Sequence, residues 1–246
     1  MRPTFSIVVP VYNEATFIPR ALPALIEEIE DLAETYRILI VENGSTDGSA
    51  EVARKAGAGH PVTVLSLPAA DYGAAMRHGF LEADGDWVVN FDIDYFSAGF
   101  LRHVLEMQDV DLVIGSKRDP ESEDRRPMMR RMATTVFNLL LSTVLDSRVS
   151  DTHGMKAFRR GLIEEIAPSV VSRQDLFDTE LVVRAERAGY RIREVPVVVE
   201  EMRVARSSLV KRVPRTLRGL WRIRQVLADE SRRPATSAPA PDNDSD

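Results

Sequence analysis

Gly85-Asp86-Trp87-Val88-Val89-Asn90-Phe91-Asp92-Ile93-Asp94 is the stretch that decides the fold. Its centre, Trp87 to Phe91, is short and nearly uncharged, as a strand covered on both faces must be, and it stops at two carboxylates. Phe5 to Val11, Tyr36 to Glu42, Val62 to Leu67 and Leu112 to Gly115 are runs of the same kind. Helical spacing fills the intervals between them. Ala21, Leu22, Leu25, Ile26, Ile29 and Leu32 form one apolar face, and Ala74, Ala75, Gly79, Phe80 and Ala83 form another. Repeated β-α-β-α order predicts an α/β fold with a mostly parallel central sheet flanked by helices. Sheets of this type hold ligands beyond the carboxyl ends of their strands, which is where Asp92 and Asp94 fall.

After Gly115 the pattern changes. Ser116 to Arg131 reads as a polar, Arg-rich loop, Arg130 to Asp146 as a helix and Met155 to Phe158 as a short strand. Gly161 to Ala167 and Thr179 to Ala188 read as helices, and Arg191 to Val199 as a strand. Ser207 to Ala228 has the pattern of one or two amphipathic helices, with Pro214 suggesting two. Arg232 to Asp246 alternates Pro, Ala, Ser and Asp and has too little apolar content to fold. The expected organisation is a catalytic-type domain over 1–202, basic amphipathic helices over 203–230 and a disordered tail over 231–246.

The 246 residues include no Cys, which excludes a disulfide scaffold and Cys-ligated zinc or iron–sulfur sites. The N-terminus enters the first strand without a signal-peptide pattern, so a cytoplasmic location is expected. The longest strongly apolar stretch, Thr134 to Leu145, is well short of the roughly 20 residues that cross a bilayer. A net charge of −6 argues against a nucleic-acid partner. That charge is unevenly spread: 203–228 holds eight basic residues and no acid, 229–246 carries −3, and the remainder carries −11.

Asp92 and Asp94, two residues apart at a strand end, can share a divalent cation and the phosphates it binds, which suits Mg²⁺ or Mn²⁺. Taken alone, the pair is equally a turn cap and a solvated acid. Strand one ends in Pro10-Val11-Tyr12-Asn13-Glu14, and strand two in Glu42-Asn43-Gly44-Ser45-Thr46-Asp47-Gly48. Ser45 or Thr46 can cap a helix starting near Asp47 and Gly48, while Glu42 can accept from a base N–H or a ribose hydroxyl. Three polar strand ends converging on one sheet edge point to a ligand site more strongly than any one of them.

These segments resemble the successive motifs of family 2 glycosyltransferases, which have the GT-A fold, and the order and spacing match over roughly Phe5 to Val199. Gly115-Ser116-Lys117-Arg118, Asp151 to Arg160 and Phe177-Asp178-Thr179-Glu180-Leu181 resemble the branch of dolichyl-phosphate and polyprenyl-phosphate hexose synthases. The resemblance implies that Pro10, Tyr12 and Glu14 line a nucleotide pocket and that Glu42 meets base or ribose. It implies Asp92 and Asp94 as holders of metal and diphosphate, and Lys117 as a phosphate contact in place of the family's Arg. Two positions depart from the pattern. Glu42-Asn43 stands for the usual Asp-Asp, and Asp71-Tyr72-Gly73 stands where many members have Gly or Lys before the Gly-Ala pair.

By the same resemblance Asp178 matches the general base of members that glycosylate hydroxyls, although members acting on lipid phosphate carry a similar Phe-Asp-x-Glu-Leu. A cap for the following helix is the plain alternative for Asp178. Arg118, Arg130 and Arg131, before an apolar helix, and Arg203 and Arg206, after the last strand, are candidates for an acceptor phosphate. The basic segment to Arg224, interleaved with Leu209, Val213, Leu217, Leu220, Trp221 and Val226, suits either an anionic membrane surface or packing on the domain. His78 and His153 read as structural.

The leading expectation is an inverting hexosyltransferase. It would move a hexose from a nucleotide sugar of the GDP-mannose or UDP-glucose type to a polyprenyl phosphate, peripherally bound at the cytoplasmic membrane face or to a membrane protein. Asp94, Asp178 and Lys117 would be its catalytic residues. Transfer to a hydroxyl with Asp178 as base, and a non-catalytic nucleotide-sugar-binding scaffold, are the alternatives.

Overall fold

The structure is a computed structural model that describes residues 4–32, 35–117, 121–124, 128–149, 152, 154–173, 176–199 and 209–232. Its strands are Phe5–Val11 (β1), Tyr36–Asn43 (β2), Val62–Leu67 (β3), Trp87–Asn90 (β4), Leu112–Ser116 (β5), Glu123–Asp124 (β6), Lys156–Arg159 (β7), Ile192–Pro196 (β8) and Val198–Val199 (β9). Its α-helices are Ile18–Glu30 (α1), Ser49–Ala56 (α2), Tyr72–Leu81 (α3), Ala98–Glu106 (α4), Met128–Leu145 (α5), Arg160–Ile166 (α6), Phe177–Arg187 (α7) and Leu209–Arg232 (α8).

Seven strands form one sheet in the order β3-β2-β1-β4-β7-β5-β8. The alternation of side chains along each strand explains the unbroken apolar runs. Ile7, Val9, Val89 and Ala157 face one side, where α1, α2 and α4 cover them with Leu22, Leu25, Ala53, Phe100 and Leu101. Val8, Val88 and Phe158 face the other, under Met76 and Phe80 of α3, Leu162 of α6 and Phe177 and Leu181 of α7. A third cluster joins Leu141 and Leu145 of α5 to Val183 of α7 and to Leu220, Ile223 and Leu227 of α8. Burying each of those three α8 side chains contributes about 1.5–3 kcal/mol to holding the helix down.

Every neighbouring pair in the sheet is parallel except those made by β7, which runs antiparallel to both β4 and β5. β7 therefore begins at the edge where the other strands end, and its first residue, Lys156, stands in register with Asn90 on one side and Ile114 on the other.

The expected strands appear within a residue of their limits, apart from the run Arg191 to Val199, which divides into β8 and β9 at Val197. α7 starts two residues earlier than expected, so Asp178 lies inside its first turn and does not cap it; no side chain caps that helix. Pro214 does not split the C-terminal segment, because α8 runs through it as one helix. Near a helix start the missing N–H costs a single bond, and the buried Leu220, Ile223 and Leu227 hold the remainder. α2 has Gly48 in its N-cap position and no side-chain cap, so Ser45 and Thr46 do not have the capping role. α4, capped by Ser97 accepting from Phe100 N, is an element the sequence pattern missed. Within the described residues, no helix is long and apolar enough to cross a membrane.

Candidate active site

The loops after β1 and β2 brace each other. Asn13 takes a left-handed conformation (φ 54°), which Asn tolerates better than most residues, and its Oδ1 accepts from Thr46 N at 2.9 Å. Asn13 N donates to Ser45 Oγ at 3.0 Å, Glu14 N to Ser49 Oγ at 2.8 Å, and Ala15 N to Asp47 Oδ2 at 3.0 Å. Ser45 and Thr46 thus serve the first loop rather than the second helix. Gly44 has φ 68°, and a Cβ there would lie 2.7 Å from the backbone of Ala69, so both conformation and space require glycine.

Glu42 and Asn43 are buried at the same edge, and each is tied to backbone. The Glu42 carboxylate accepts from Ser45 N, which folds the loop under it. Asn43 Oδ1 accepts from Asp71 N at 2.7 Å, and Asp71 in turn caps α3 by accepting from Ala74 N at 3.1 Å. A neutral amide at 43 makes this junction without adding a second negative charge beside the Asp71 carboxylate. Asp71 is therefore built into the helix start, where a lysine would have reached outward. Tyr12, 48% exposed, stands open at the end of β1, while Pro10 is half-buried and Glu14 buried.

After β4 the chain turns sharply: Asp92 N donates to Tyr95 O at 3.2 Å and Tyr95 N to Asp92 O at 2.9 Å. Ile93 is buried and anchors the turn, which leaves Asp92 exposed and Asp94 half-buried. Lys117, just past β5, lies 5.6 Å from the centre of the Tyr95 ring. The Asp92 carboxyl, though its side chain reaches solvent, is pushed up to about 6, first by the protein crowded around it, which thins its water, then by Asp94 and Asp178, against the opposing pull of Lys156 and Lys117.

Close to this turn Asp178 meets two residues that the sequence reading left without a role, Tyr72 and Lys156. Tyr72 donates its hydroxyl to Asp178 Oδ2 at 3.0 Å, and Lys156 Nζ donates to Gly154 O at 2.8 Å and lies 3.5 Å from the same carboxylate oxygen. Lys156 is fully buried, and Asp178 nearly so. Burial, then the Asp178 and Asp92 charges, push the Tyr72 hydroxyl well above its ordinary value, so it acts as a donor. Asp178 Oδ1 and Asn90 Oδ1 are buried with no hydrogen-bond partner among the described residues. The signal for Lys156 was present: it shares strand parity with the core residue Phe158, so a lysine points inward.

A divalent cation fits this edge. Asp92 and Asp94 stand two residues apart on the open side of the turn, and the Asp94 and Asp178 charges, second to loss of water in raising the Asp92 carboxyl, are ones a hard cation would offset. No cluster of three or more His, Asp or Glu ligands occurs among the described residues. A cation held by Asp92 and Asp94 would therefore complete its shell with water and phosphate oxygens. Of the other expected contacts, Arg130 and Arg131 fall on the first turn of α5, and Arg118, His153, Arg203, Arg206 and the tail from 233 lie outside the described residues.

Comparisons with known proteins agree on one family. The model of the family described as glycosyl transferase family 2 matches residues 6–167, from β1 to the end of α6. Glycosyltransferase AglD of Haloferax volcanii is 30% identical over 234 residues, 89% of this chain but 37% of AglD, so the chain spans well under half of that relative. An uncharacterized glycosyltransferase of Mycobacterium tuberculosis is 33% identical over 195 residues, 78% of this chain and 83% of that protein. In fold, the chain is similar to glucosyl-3-phosphoglycerate synthase from M. tuberculosis, crystallised with Mn²⁺, UDP and glucosyl-3-phosphoglycerate. That likeness has a TM-score of 0.66 at 20% identity and covers 95% of this chain and 82% of the other. The seven-stranded, mostly parallel sheet is that of the GT-A fold. With the family's motifs gathered at the carboxyl ends of β1, β2 and β4 and its model matched across two thirds of the length, the chain belongs to glycosyltransferase family 2.

Proposed function

We propose that the chain transfers a hexose, with inversion, from a nucleoside diphosphate sugar to a polyprenyl phosphate at a membrane surface. The observation that carries the acceptor is the placement of exposed apolar side chains. Of the nine large apolar residues exposed among the described residues, six lie on two touching helices: Met128, Met132, Val136 and Leu139 on α5, and Leu217 and Trp221 on α8. The α5 residues recur every three or four positions on the face opposite the buried Leu141 and Leu145, so this helix is apolar outward as well as inward. Exposed Arg218, Arg222 and Arg224 flank the α8 pair, the pattern of a helix lying on anionic lipid.

The donor side is supported by the relatives with bound ligands. Glucosyl-3-phosphoglycerate synthase is crystallised with Mn²⁺ and UDP-glucose. In this chain Asp92 and Asp94 would hold Mg²⁺ or Mn²⁺, which when bound supplies positive charge to the departing diphosphate. Lys117 adds a fixed cation at the same edge, Tyr12 offers an open aromatic face to the base, and the braced loops after β1 and β2 hold Glu14 and Glu42 in place beneath the nucleotide. A phosphate acceptor is already anionic and attacks without a base, so the engagement of Asp178 Oδ2 by Tyr72 and Lys156 is compatible with an orienting role.

A second reading, transfer to a hydroxyl, is favoured by the unpartnered Asp178 Oδ1, an acceptor in want of an O–H. The deciding experiment offers purified protein GDP-mannose or UDP-glucose with Mg²⁺ or Mn²⁺, and either a short polyprenyl phosphate in vesicles or phosphoglyceric acid. Hexose on the lipid phosphate supports the first reading. Hexose on phosphoglyceric acid alone, abolished in Asp178→Asn, replaces it with the second.

A further inference from the structure

A groove of about 980 Å³ lies between α3, the segment 168–173 and α8, and neither Asp92 nor Asp94 lines it. Its cations come from three separate elements: Arg77 from α3, Arg173 from the segment before α7, and Arg222 from α8. An adjoining hollow of about 140 Å³ shares Arg173 and Arg222 and adds Arg215. The carboxylate in the lining, Asp71, is occupied by the α3 cap. Among the described residues no acid lies within ion-pair distance of Arg77, Arg173 or Arg222. Arg77 donates to Pro168 O at 3.2 Å, which lays its guanidinium along the groove wall.

Like charges converge only where other forces hold them, and here those forces are visible. Glu180, fully buried, accepts from Val171 N at 3.0 Å and Ser172 N at 2.7 Å, which fixes the segment carrying Arg173. It also accepts from Arg184 Nε at 2.7 Å, and Arg184 reaches on with both terminal nitrogens to Glu230 of α8 at 2.7 and 3.1 Å. Gly219 brings α8 directly against Leu176, since a Cβ there would overlap Leu176 Cδ1. Arg215 and Arg222, one turn to either side of Gly219, thereby line the same hollow as Arg173. The apolar part of the wall includes Pro168, Val171 and Leu81, the last 49% exposed.

We propose that this groove binds a phosphate-headed amphiphile: its phosphate takes forked hydrogen bonds from Arg77, Arg173 and Arg222, and the first part of its apolar chain lies on Leu81, Pro168 and Val171. The shared chemistry with free phosphate is the anion; the lipid source is fixed by the apolar wall. Binding here is independent of which acceptor receives the hexose.

The test titrates the full chain with dodecyl phosphate below its micelle concentration, with inorganic phosphate and with dodecyl maltoside, and reads fluorescence. Trp221 adjoins Arg222 and is 61% exposed, whereas Trp87 is 1% exposed, so the signal reports on α8. Dodecyl phosphate is expected to saturate one site, with affinity about tenfold or more weaker in Arg173→Gln/Arg222→Gln. Arg173→Lys/Arg222→Lys, which keeps charge and removes the fork, is expected to fall between, with circular dichroism melting checking that both variants fold. Equal affinity in the Gln variant overturns the proposal. So does dodecyl maltoside binding as tightly as dodecyl phosphate, while inorganic phosphate binding as tightly overturns the amphiphile. Met132→Ser/Val136→Ser/Leu139→Ser is expected to lose sedimentation with anionic vesicles and to keep dodecyl phosphate binding, which separates this groove from the membrane face of α5; loss of dodecyl phosphate binding in that variant also overturns the proposal.

Discussion

Lys156 Nζ lies 3.5 Å from Asp178 Oδ2, and the two side chains are 1% and 11% exposed. Each charge is tolerated because the other is there. Removing one partner leaves the other uncompensated, at a cost of about 3–5 kcal/mol. Lys156→Met is expected to lower stability to urea by that order. Lys156→Met/Asp178→Asn is expected to recover more than half of the loss, and simple additivity of the two single variants would refute the coupling.

Asp92→Asn and Asp94→Asn are each expected to cut turnover about a hundredfold or more, because charge stabilisation at the leaving group is lost. The same variants should lose the rise in melting temperature that Mn²⁺ gives the parent protein. Dialysis against a chelator should reproduce their activity on unaltered protein, with recovery on adding metal back. Turnover unaffected by either treatment would separate these residues from the chemistry.

Arg191 fastens the start of β8 to the start of β5 through Asp111, which accepts from its backbone N at 2.8 Å and its Nε at 3.2 Å. The Arg191 hydrogen bond holds the Asp111 carboxyl below the ordinary carboxylate range. A carboxyl depressed in the folded state contributes stability above its unfolded value near 4 and loses it as pH falls through the folded one. Asp111→Asn is expected to cost about 1 kcal/mol at pH 7, with the difference from the parent vanishing in acid. A constant difference from pH 7 to pH 2 would contradict this.

Glu230 ties α8 to Arg184, but half of its side chain is exposed, so the bond secures the helix locally more than it stabilises the whole. Glu230→Gln is expected to quicken amide hydrogen exchange along 220–228 by about tenfold while the midpoint of global unfolding moves little. Unchanged exchange in that segment would show that apolar packing alone holds α8.

The sheet and the motif-bearing loops were legible because buried parallel strands are nearly pure Val, Ile and Leu, and such runs end abruptly. α4 was not, since its apolar positions Phe100, Leu101 and Val104 follow a loop with no break in composition. The opposite error occurred at Ser45 and Thr46, residues that cap helices elsewhere: here Asn13, distant in sequence, claims them. Asp178 was singled out for its own chemistry, but its partners were invisible because Tyr72 and Lys156 reach it from elements 106 and 22 residues away. Contacts of that kind follow from the sheet order, which one-dimensional periodicity does not encode.

The reversed strand β7 also has a consequence for how the chain assembles. β5 has no direct partner in β4; both pair with Lys156–Arg159, which is synthesised after α5. The half from β1 to β4 closes on itself, with β1 paired to both β2 and β4, whereas β5 and β8 join it only once that later segment lies between β4 and β5. Closing this span adds a second loop-entropy cost to the one the first half meets when β1 pairs with β4. Folding should therefore proceed in two stages, with the edge that carries Asp92 formed first and the buried lysine arriving with the strand that closes the sheet.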